Sequence, residues 1–137
     1  MLTQDMKKWD LLVIGGGSAG LSAALFAGEL GLRVGLIEKK PEDIGGECLR
    51  NGCVPSKSVI HFTRKLRRRQ SLEAIGLTVS GVPDWKKIRD YVKERQRRIS
   101  HHEKEAIEQQ GVATLFGQAS FIDEKTVQIG EELHTAK

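Results

Sequence analysis

Short apolar blocks alternate with glycine turns and charged helical stretches along the 137 residues of the chain. The first block, Leu11–Ile14, is followed by a glycine turn and an Ala/Leu-rich stretch that ends near Gly31. A second apolar block, residues 34–37, ends at Glu38. A buried strand, a tight turn, a helix and a second strand form a βαβ unit. The pattern therefore predicts an α/β fold that starts with a parallel pair of strands.

The rest of the chain predicts a helical hairpin and then short strands. Apolar residues at helical spacing after Pro55 predict a helix that runs to about Gln70. Asp84 is placed to cap a second, long helix. After Gly111 the pattern changes to three short β segments, VATLF, QASFI and TVQIG, separated by a glycine and by the turn DEK.

The turn after the first strand has the spacing Gly15-x-Gly17-x-x-Gly20. In a dinucleotide-binding βαβ unit the first glycine makes the tight turn and the second lets the backbone approach a pyrophosphate. The third permits close packing of helix against strand, and the helix N-terminus offers N–H groups to the phosphates. Because a strand precedes this motif and a helix follows it, we favour dinucleotide binding over a purely structural turn.

An acidic residue stands at the end of the second strand, where such folds bind ribose. Glu38 is placed there, about twenty residues after the glycines, to accept hydrogen bonds from ribose hydroxyls. Ser18 and Ala19 at the helix start and Lys39 beside the acid complete this part of the predicted cofactor site. NAD and FAD use the same cradle, so the motif leaves the choice between them open.

Cys48 and Cys53 are the two cysteines of the chain. They are too few for a secreted disulfide scaffold or a structural zinc site, so we expect a cytoplasmic protein with no metal site. A regular helix separates residues i and i+5 by about 7.5 Å along its axis, more than the ~6.8 Å that a disulfide spans between Cα atoms. The two thiols can therefore bridge only across irregular chain, which Gly52 and Pro55 provide. A redox pair and two inert thiols both remain open.

The segment GGECLRNGCVPSK, residues 45–57, closely resembles the redox-active segment of the class I pyridine nucleotide-disulfide oxidoreductases, such as dihydrolipoamide dehydrogenase, glutathione reductase and mercuric reductase. The resemblance implies a Rossmann-like FAD-binding domain. It also implies that Cys53 lies against the flavin as the charge-transfer thiolate and that Cys48 is the interchange thiol. Lys57 matches the lysine that approaches the flavin ring. The remaining matches to FAD-contacting positions are Gly46, Glu47, Gln118 and Ala119.

The resemblance also implies a reaction and a larger parent protein. In the parent, electrons pass from NAD(P)H through FAD to the Cys48–Cys53 disulfide and on to a small disulfide, dithiol or metal-ion substrate, and the enzyme is a homodimer. The strands after Gly111 resemble the small antiparallel meander that the family inserts into its FAD domain. We expect residues 1–137 to be an N-terminal, incomplete FAD-binding domain without the nicotinamide and interface domains.

Glu47 and the pair Arg50-Asn51 depart from the family motif, which usually has Thr at the first position and Asn followed by a variable residue at the pair. An acidic residue at position 47 resembles the mercuric-reductase-like branch, but one residue does not name the substrate. The choice between NADH and NADPH is likewise open.

The uneven distribution of charge along the chain allows other interpretations of its function. Residues 61–104 carry a net charge of +8 and the remainder −4, so a basic nucleic-acid-binding module is an alternative, as is a noncatalytic flavin-binding fragment. Aromatic residues make up only 5% of the chain, and charged helices more often present a solvated face. The uncharged run of residues 11–28 contains five glycines, which argues against a membrane span.

Overall fold

A computed structural model describes residues 6–137, which form two compact units. One contains residues 6–46 and Ser100–Lys137, and the other is Glu47–Ile99. The strands are β1 Lys7–Trp9, β2 Leu11–Ile14, β3 Val34–Glu38, β4 Ala113–Phe116, β5 Ala119–Phe121, β6 Thr126–Ile129 and β7 Glu132–Ala136. The helices are α1 Ser18–Glu29, α2 Gly46–Arg50, α3 Cys53–Arg67, α4 Arg69–Glu73 and α5 Trp85–Gln109. Among the described residues no helix is long and apolar enough to cross a membrane.

A three-stranded parallel sheet in the order β2-β3-β4 forms the centre of the first unit. Leu11 pairs with Val34 at the start of β2, and Ile14 pairs with Ile37 at its end. The predicted βαβ start is therefore confirmed. On the other side of β3, Glu38 pairs with Phe116 of β4. Because all three strands run in the same direction, their carboxyl ends meet at one edge, where α/β folds bind ligands.

The prediction that VATLF belongs to the antiparallel meander is wrong. This segment is β4 and pairs parallel with β3 instead. The apolar residues of VATLF lie on both faces of the sheet. Val112, the residue before β4, packs against α1, whereas Leu115 within β4 packs against the meander. A segment that is apolar on both sides is typical of a parallel strand covered on both faces. The meander itself is β5-β6-β7, and β1 adds to it parallel to β7.

Alternating side chains of the parallel sheet build two cores. Val34 and Leu36 point to α1 and to Ile107 near the end of α5. Ile37, one residue on, packs against Val127 and Ile129 of the meander. The sheet is thus buried between helices on one face and the meander on the other, which fixes the position of the carboxyl ends.

The predicted helical pair is α3 and α5, of which α3 and the part of α5 up to Ile99 belong to the second unit. The side chain of Asp84 accepts hydrogen bonds from the backbone N–H groups of Lys86 and Lys87 at 2.9 and 3.3 Å, and so caps α5 as predicted. The rings of Phe62 in α3 and Tyr91 in α5 meet edge to face with centroids 4.9 Å apart. The helix α3 ends at Arg67, and the short helix α4 follows it.

A buried histidine makes the stability of the meander depend on pH. His134 is fully buried, and its Nδ1 accepts a hydrogen bond from Nε1 of Trp9 at 3.1 Å. Burial lowers the pKa of His134 below its ordinary value of 6.5, and the nearby carboxylate of Glu132 only partly opposes this. Lys7, which pairs with Glu132, faces the same group and adds to the lowering.

We expect the free energy of unfolding to fall as the pH drops below about 6.5. In that range His134 binds a proton in the unfolded chain but stays neutral in the folded chain. The carboxylates with lowered pKa values, Asp10, Asp123 and Glu132, lose their contributions only at lower pH, below their ordinary pKa values of 3.8 and 4.5. Urea unfolding at pH 7.5 and 5.5 measures the effect. A His134→Gln variant should show a smaller pH dependence, and equal dependence in both proteins would contradict this assignment.

Candidate functional site

The three glycines of the turn between β2 and α1 have different surroundings. Gly15 has φ +100°, which favours glycine, and its N–H donates to the carbonyl of Ile37 at 2.8 Å. A Cβ at Gly20 would collide with the carbonyl oxygen of Gly15. These two glycines therefore serve the tight turn and the helix packing, as the spacing predicted.

The fold does not require glycine at position 17. Its φ is −76° and ψ −176°, an extended conformation that any residue adopts. No described atom lies within 4 Å of a Cβ built at Gly17, so the space beside its backbone is open. An open face at the second glycine of the motif is what a closely approaching pyrophosphate requires.

The N-terminus of α1 offers unused hydrogen-bond donors. The first hydrogen bond of the helix runs from the N–H of Leu21 to the carbonyl of Gly17 at 2.8 Å, so the N–H groups of Ser18, Ala19 and Gly20 precede the helical ladder. In the described part of the chain no side chain caps this end, and its first turn contains no acidic residue. The end therefore keeps its partial positive charge for an anion.

Glu38 is held in a fixed orientation at the carboxyl end of β3. Its Oε2 accepts a hydrogen bond from the N–H of Gly16 at 2.7 Å, and its Oε1 accepts one from the N–H of Lys39 at 2.6 Å. Each carboxylate oxygen retains a lone pair for a further donor. The carboxylate is thus anchored to the glycine turn. Gly16, a residue that the sequence reasoning did not single out, makes this anchor.

The predicted residue Gly46 and its neighbour Gly45 lie near the same edge. The N–H of Gly45 donates to the carbonyl of Gly16 at 2.8 Å, and a Cβ on Gly46 would come within 2.9 Å of the Cα of Gly17. Gly46 has φ +61°, so glycine suits this position on both grounds.

The other end of the edge is formed by the chain after β4. The N–H of Gly117 donates to the carbonyl of Glu38 at 2.9 Å, and Gln118 and Ala119 follow directly. Gln118 is exposed, and Ala119 starts β5 opposite Ile129. The structure therefore brings the glycine turn, Glu38, Gly46 and the Gln118-Ala119 segment to one edge of the first unit.

The second unit contains the thiols. Cys48 lies in α2 and is partly buried, and Cys53 is the first residue of α3 and is exposed. No disulfide joins Cys48 and Cys53 in the structure. Between them the chain turns sharply, and a Cβ on Gly52 would lie 3.0 Å from the carbonyl oxygen of Glu47 and 3.2 Å from the Cα of Cys48. Gly52 thus allows the close approach that the sequence predicted for irregular chain between the cysteines.

The neighbouring thiol opposes ionisation of Cys53. Its pKa is raised above the ordinary value of 9.0, first because its thiol hydrogen-bonds to Cys48 and second because a charge on Cys48 opposes a second negative charge. Lys57, one turn further along α3, counteracts this with its positive charge. The neighbouring Cys48 therefore favours the protonated form of Cys53.

A cleft of about 740 Å³ opens beside the two thiols, within the second unit. Residues from α3 and α5 line it together with both cysteines. Its charged side chains are those of Lys57, Arg64 and Arg95. The sequence reasoning grouped the two arginines with a solvated basic face, because helical periodicity does not show which residues of two helices face each other.

The sequence profile described as Pyridine nucleotide-disulphide oxidoreductase matches residues 9–137. The chain belongs to this family. It is 34% identical over 134 residues to mercuric reductase from Staphylococcus aureus, covering 94% of this chain and 24% of that protein. It is 33% identical over 124 residues to glutathione reductase from Debaryomyces hansenii, covering 86% and 25%.

Among solved structures of the disulfide reductases, the fold is similar to the Cu(II) complex of the HOCl-induced flavoprotein disulfide reductase RclA from Escherichia coli. The TM-score is 0.74 at 23% identity, over 93% of this chain and 26% of that chain. This similarity supports the FAD-domain type of α/β fold. The chain spans about a quarter of the length of each relative.

The departures of this chain from the family motif contact one another. Glu47 accepts a hydrogen bond from the side chain of Asn51 at 2.9 Å and pairs with Arg50 at 3.5 Å. In addition, Gln96 of α5 donates to the carbonyls of Leu49 and Arg50 at 2.9 and 2.7 Å. These contacts hold the segment between the cysteines. Gln96 left no signal in the sequence, because its partners are backbone atoms 46 and 47 residues away.

Proposed function

We propose that residues 1–137 are the N-terminal part of the FAD-binding domain of an NAD(P)H-dependent disulfide oxidoreductase. One observation carries the proposal: the backbone of Gly17 faces open space beside the uncapped start of α1, in a chain whose Cys53 thiol hydrogen-bonds to Cys48. The first feature fits a bound pyrophosphate, and the second fits a reversible disulfide. Family membership supports both assignments.

The residues of the sheet edge fit the adenosine and pyrophosphate parts of FAD. The N–H groups at the start of α1 would bind the phosphates, and the anchored carboxylate of Glu38 would accept from ribose hydroxyls. Gly46 and the Gln118-Ala119 segment would border the nucleotide, and Cys53 and Lys57 would serve the flavin ring. Bound FAD would supply a two-electron carrier between NAD(P)H and the thiol pair.

The thiol pair exchanges two electrons with a disulfide substrate R–S–S–R. The thiolate of Cys48 attacks one substrate sulfur, so the substrate S–S bond breaks, a mixed disulfide forms and one R–S⁻ leaves. Cys53 then attacks the sulfur of Cys48, forms the Cys48–Cys53 disulfide and releases the second R–S⁻. Two protons from the cysteines end on the two product thiols. The protein is oxidised by two electrons, and the substrate is reduced by two.

We expect the purified chain to bind added FAD and, after oxidation, to hold a disulfide between Cys48 and Cys53. The visible flavin bands that remain after gel filtration with FAD measure the first. Native alkylation followed by mass spectrometry measures the second. We expect no alkylated thiol in the oxidised protein and two alkylated thiols after treatment with dithiothreitol. A Cys53→Ser variant is the control for the thiol count.

Loss of flavin bands together with two alkylated thiols in the oxidised protein would contradict the proposal. Flavin bands with two alkylated thiols would instead favour a noncatalytic flavin-binding role. The basic helices do not support the nucleic-acid alternative, since several of their cations pair with carboxylates on the same helix, such as Arg69 with Glu73 and Lys86 with Asp90.

A further inference from the structure

A second cavity, of about 400 Å³, lies within the second unit, between the C-terminal part of α3, the helix α4 and the start of α5. It shares no lining residue with the cleft beside the thiols, and none of the residues assigned to FAD lines it. Its volume falls within the range of about 300–1,000 Å³ that is typical of small-molecule sites. We call it the aliphatic cavity and define it by six of its lining residues: Lys65, Leu66, Leu72, Val79, Val82 and Lys87.

The walls of the aliphatic cavity leave apolar side chains open to water. Leu66 comes from α3 and Leu72 from α4, and Val79 and Val82 come from the segment before α5. All four are exposed, and Val82 is 92% exposed. A cluster of exposed aliphatic side chains around a concave surface is typical of a site that buries an apolar ligand. The cavity therefore favours a ligand with an apolar body.

Two lysines at this cavity have ammonium groups that are available to a ligand. Lys65 comes from α3 and Lys87 from α5. Within residues 6–137, neither ammonium group has a carboxylate within ion-pair distance. The neighbouring Lys86, by contrast, pairs with Asp90 at 3.3 Å and does not line the cavity. A negatively charged head group would therefore be attracted by two cations from separate helices.

The other charged residues of the lining are already engaged within the chain. Arg69 pairs with Glu73 at 2.9 Å. The carboxylate of Asp84 accepts hydrogen bonds from two backbone N–H groups at the start of α5. The charge that remains for a ligand is therefore that of the two lysines. Lysine suits a small head group because its flexible stem can bring a compact positive charge to it.

The shape and composition of the lining favour a single small molecule over a macromolecule. Among the described lining residues Phe62 alone is aromatic, and its ring already contacts Tyr91, so the cavity has no free platform on which bases could stack. A bilayer takes up apolar side chains that project from a helix face, whereas these side chains surround a hollow. The hollow can enclose one hydrocarbon chain.

We propose that the aliphatic cavity binds a free carboxylate with an unbranched hydrocarbon chain of medium length. The chain lies against Leu66, Leu72 and Val82, and the carboxylate lies near the ammonium groups of Lys65 and Lys87. This site is independent of the proposed function, because it involves neither the thiols nor the residues assigned to FAD.

The test uses decanoate as the probe, with decanol and decylammonium as neutral and cationic molecules of the same chain length. Isothermal titration calorimetry with the 137-residue chain at pH 7.5 measures their affinities, at concentrations below those at which they form micelles. We expect decanoate to bind at one site per chain, about fivefold or more tightly than decanol, as for two exposed ion pairs. Decylammonium should bind more weakly than decanol, and added salt should reduce the difference.

Substitutions separate the charged end of the site from its apolar walls. Lys65→Gln and Lys87→Gln should each weaken decanoate binding about twofold, and the double variant should bind decanoate no more tightly than decanol. Lys86→Gln is the matched control and should leave both affinities unchanged. Val82→Ser should weaken decanoate and decanol alike, about threefold or more. It should leave thermal stability unchanged, because Val82 is 92% exposed.

Equal affinities of the parent chain for decanoate and decanol would overturn the inference, as would a loss with Lys86→Gln as large as that with Lys87→Gln. Sedimentation velocity, anionic vesicles and a DNA duplex test the other occupants. Self-association, vesicle binding or DNA binding that Val82→Ser abolishes, in a chain that does not bind decanoate, would assign the cavity to that partner and overturn the inference.

Two further measurements keep these results interpretable. Circular dichroism of each variant identifies any loss of folding, and the comparison of the three probes on the parent chain decides the question without any variant. FAD binding and the thiol count of the same variants should match those of the parent. Loss of flavin binding by the parent would contradict the proposed function, whereas loss of decanoate binding alone would contradict only this site.

Discussion

Replacing Gly17 with valine is expected to weaken FAD binding at least about 100-fold, a loss of roughly 2.8 kcal/mol or more of binding free energy. The β and γ carbons would fill the open space beside the backbone at which the pyrophosphate is proposed to lie. The free energy of unfolding should change by less than about 1 kcal/mol, because the extended conformation of Gly17 suits valine and the position makes no side-chain cap. Fluorescence titration with FAD and thermal unfolding give the two values.

Gly20→Ala is the matched control with the opposite profile. Its Cβ collides with the carbonyl oxygen of Gly15 and presses on Val13, so the turn or the helix has to move. We expect a loss of about 3 kcal/mol in stability, at the upper end for an overpacked site. If valine at position 17 lowered stability as much as alanine at position 20 does, Gly17 would have a structural role. That result would contradict the proposal that the pyrophosphate lies beside its backbone.

The 137-residue chain with added FAD is expected to show no steady-state oxidation of NADH or NADPH with any disulfide, although its thiol pair still accepts electrons. We propose that it is part of a FAD-binding domain, and it spans about a quarter of the length of its relatives. Catalysis requires that the nicotinamide, the flavin and the thiols be held together, and loss of that positioning costs many orders of magnitude.

The assay follows absorbance at 340 nm with each nicotinamide and several small disulfides, with Cys53→Ala as the control. Turnover that disappears in Cys53→Ala would show that these residues form a self-sufficient reductase. In the described residues β2 is paired on one side only, by β3. We therefore also expect the chain to associate at high concentration through this open edge, which sedimentation velocity would measure.

The sequence predicted the parts of the fold that depend on local spacing. The βαβ start, the separate requirements for Gly15 and Gly20, and the cap at Asp84 follow from periodicity and from residue types with special backbone or hydrogen-bonding properties. The partner of a short strand is a nonlocal choice, and so β4 was assigned to the wrong sheet. β1 and β7 were missed because Lys7–Trp9 and Glu132–Ala136 have little apolar alternation and pair over more than 120 residues.

The sequence likewise predicted some residues of the candidate site and not others. The motifs identified Glu38 and the cysteines, yet the anchor from Gly16 and the support from Gln96 use backbone partners that no motif encodes. The raised pKa of Cys53 depends on its contact with Cys48, which the position of Cys53 at the start of a helix does not show. The arginines of the cleft required the relative rotation of two helices.

The most direct test of the account is to count thiols after anaerobic reduction of the oxidised, FAD-loaded chain. Dithionite is added to two electrons per protein, and the protein is then alkylated and analysed by mass spectrometry. The account predicts alkylation of both Cys48 and Cys53, with much slower opening of the disulfide when FAD is left out. It also predicts that the visible flavin bands are bleached less in the parent chain than in Cys53→Ser. Complete bleaching of the flavin with the Cys48–Cys53 disulfide still closed would contradict the account.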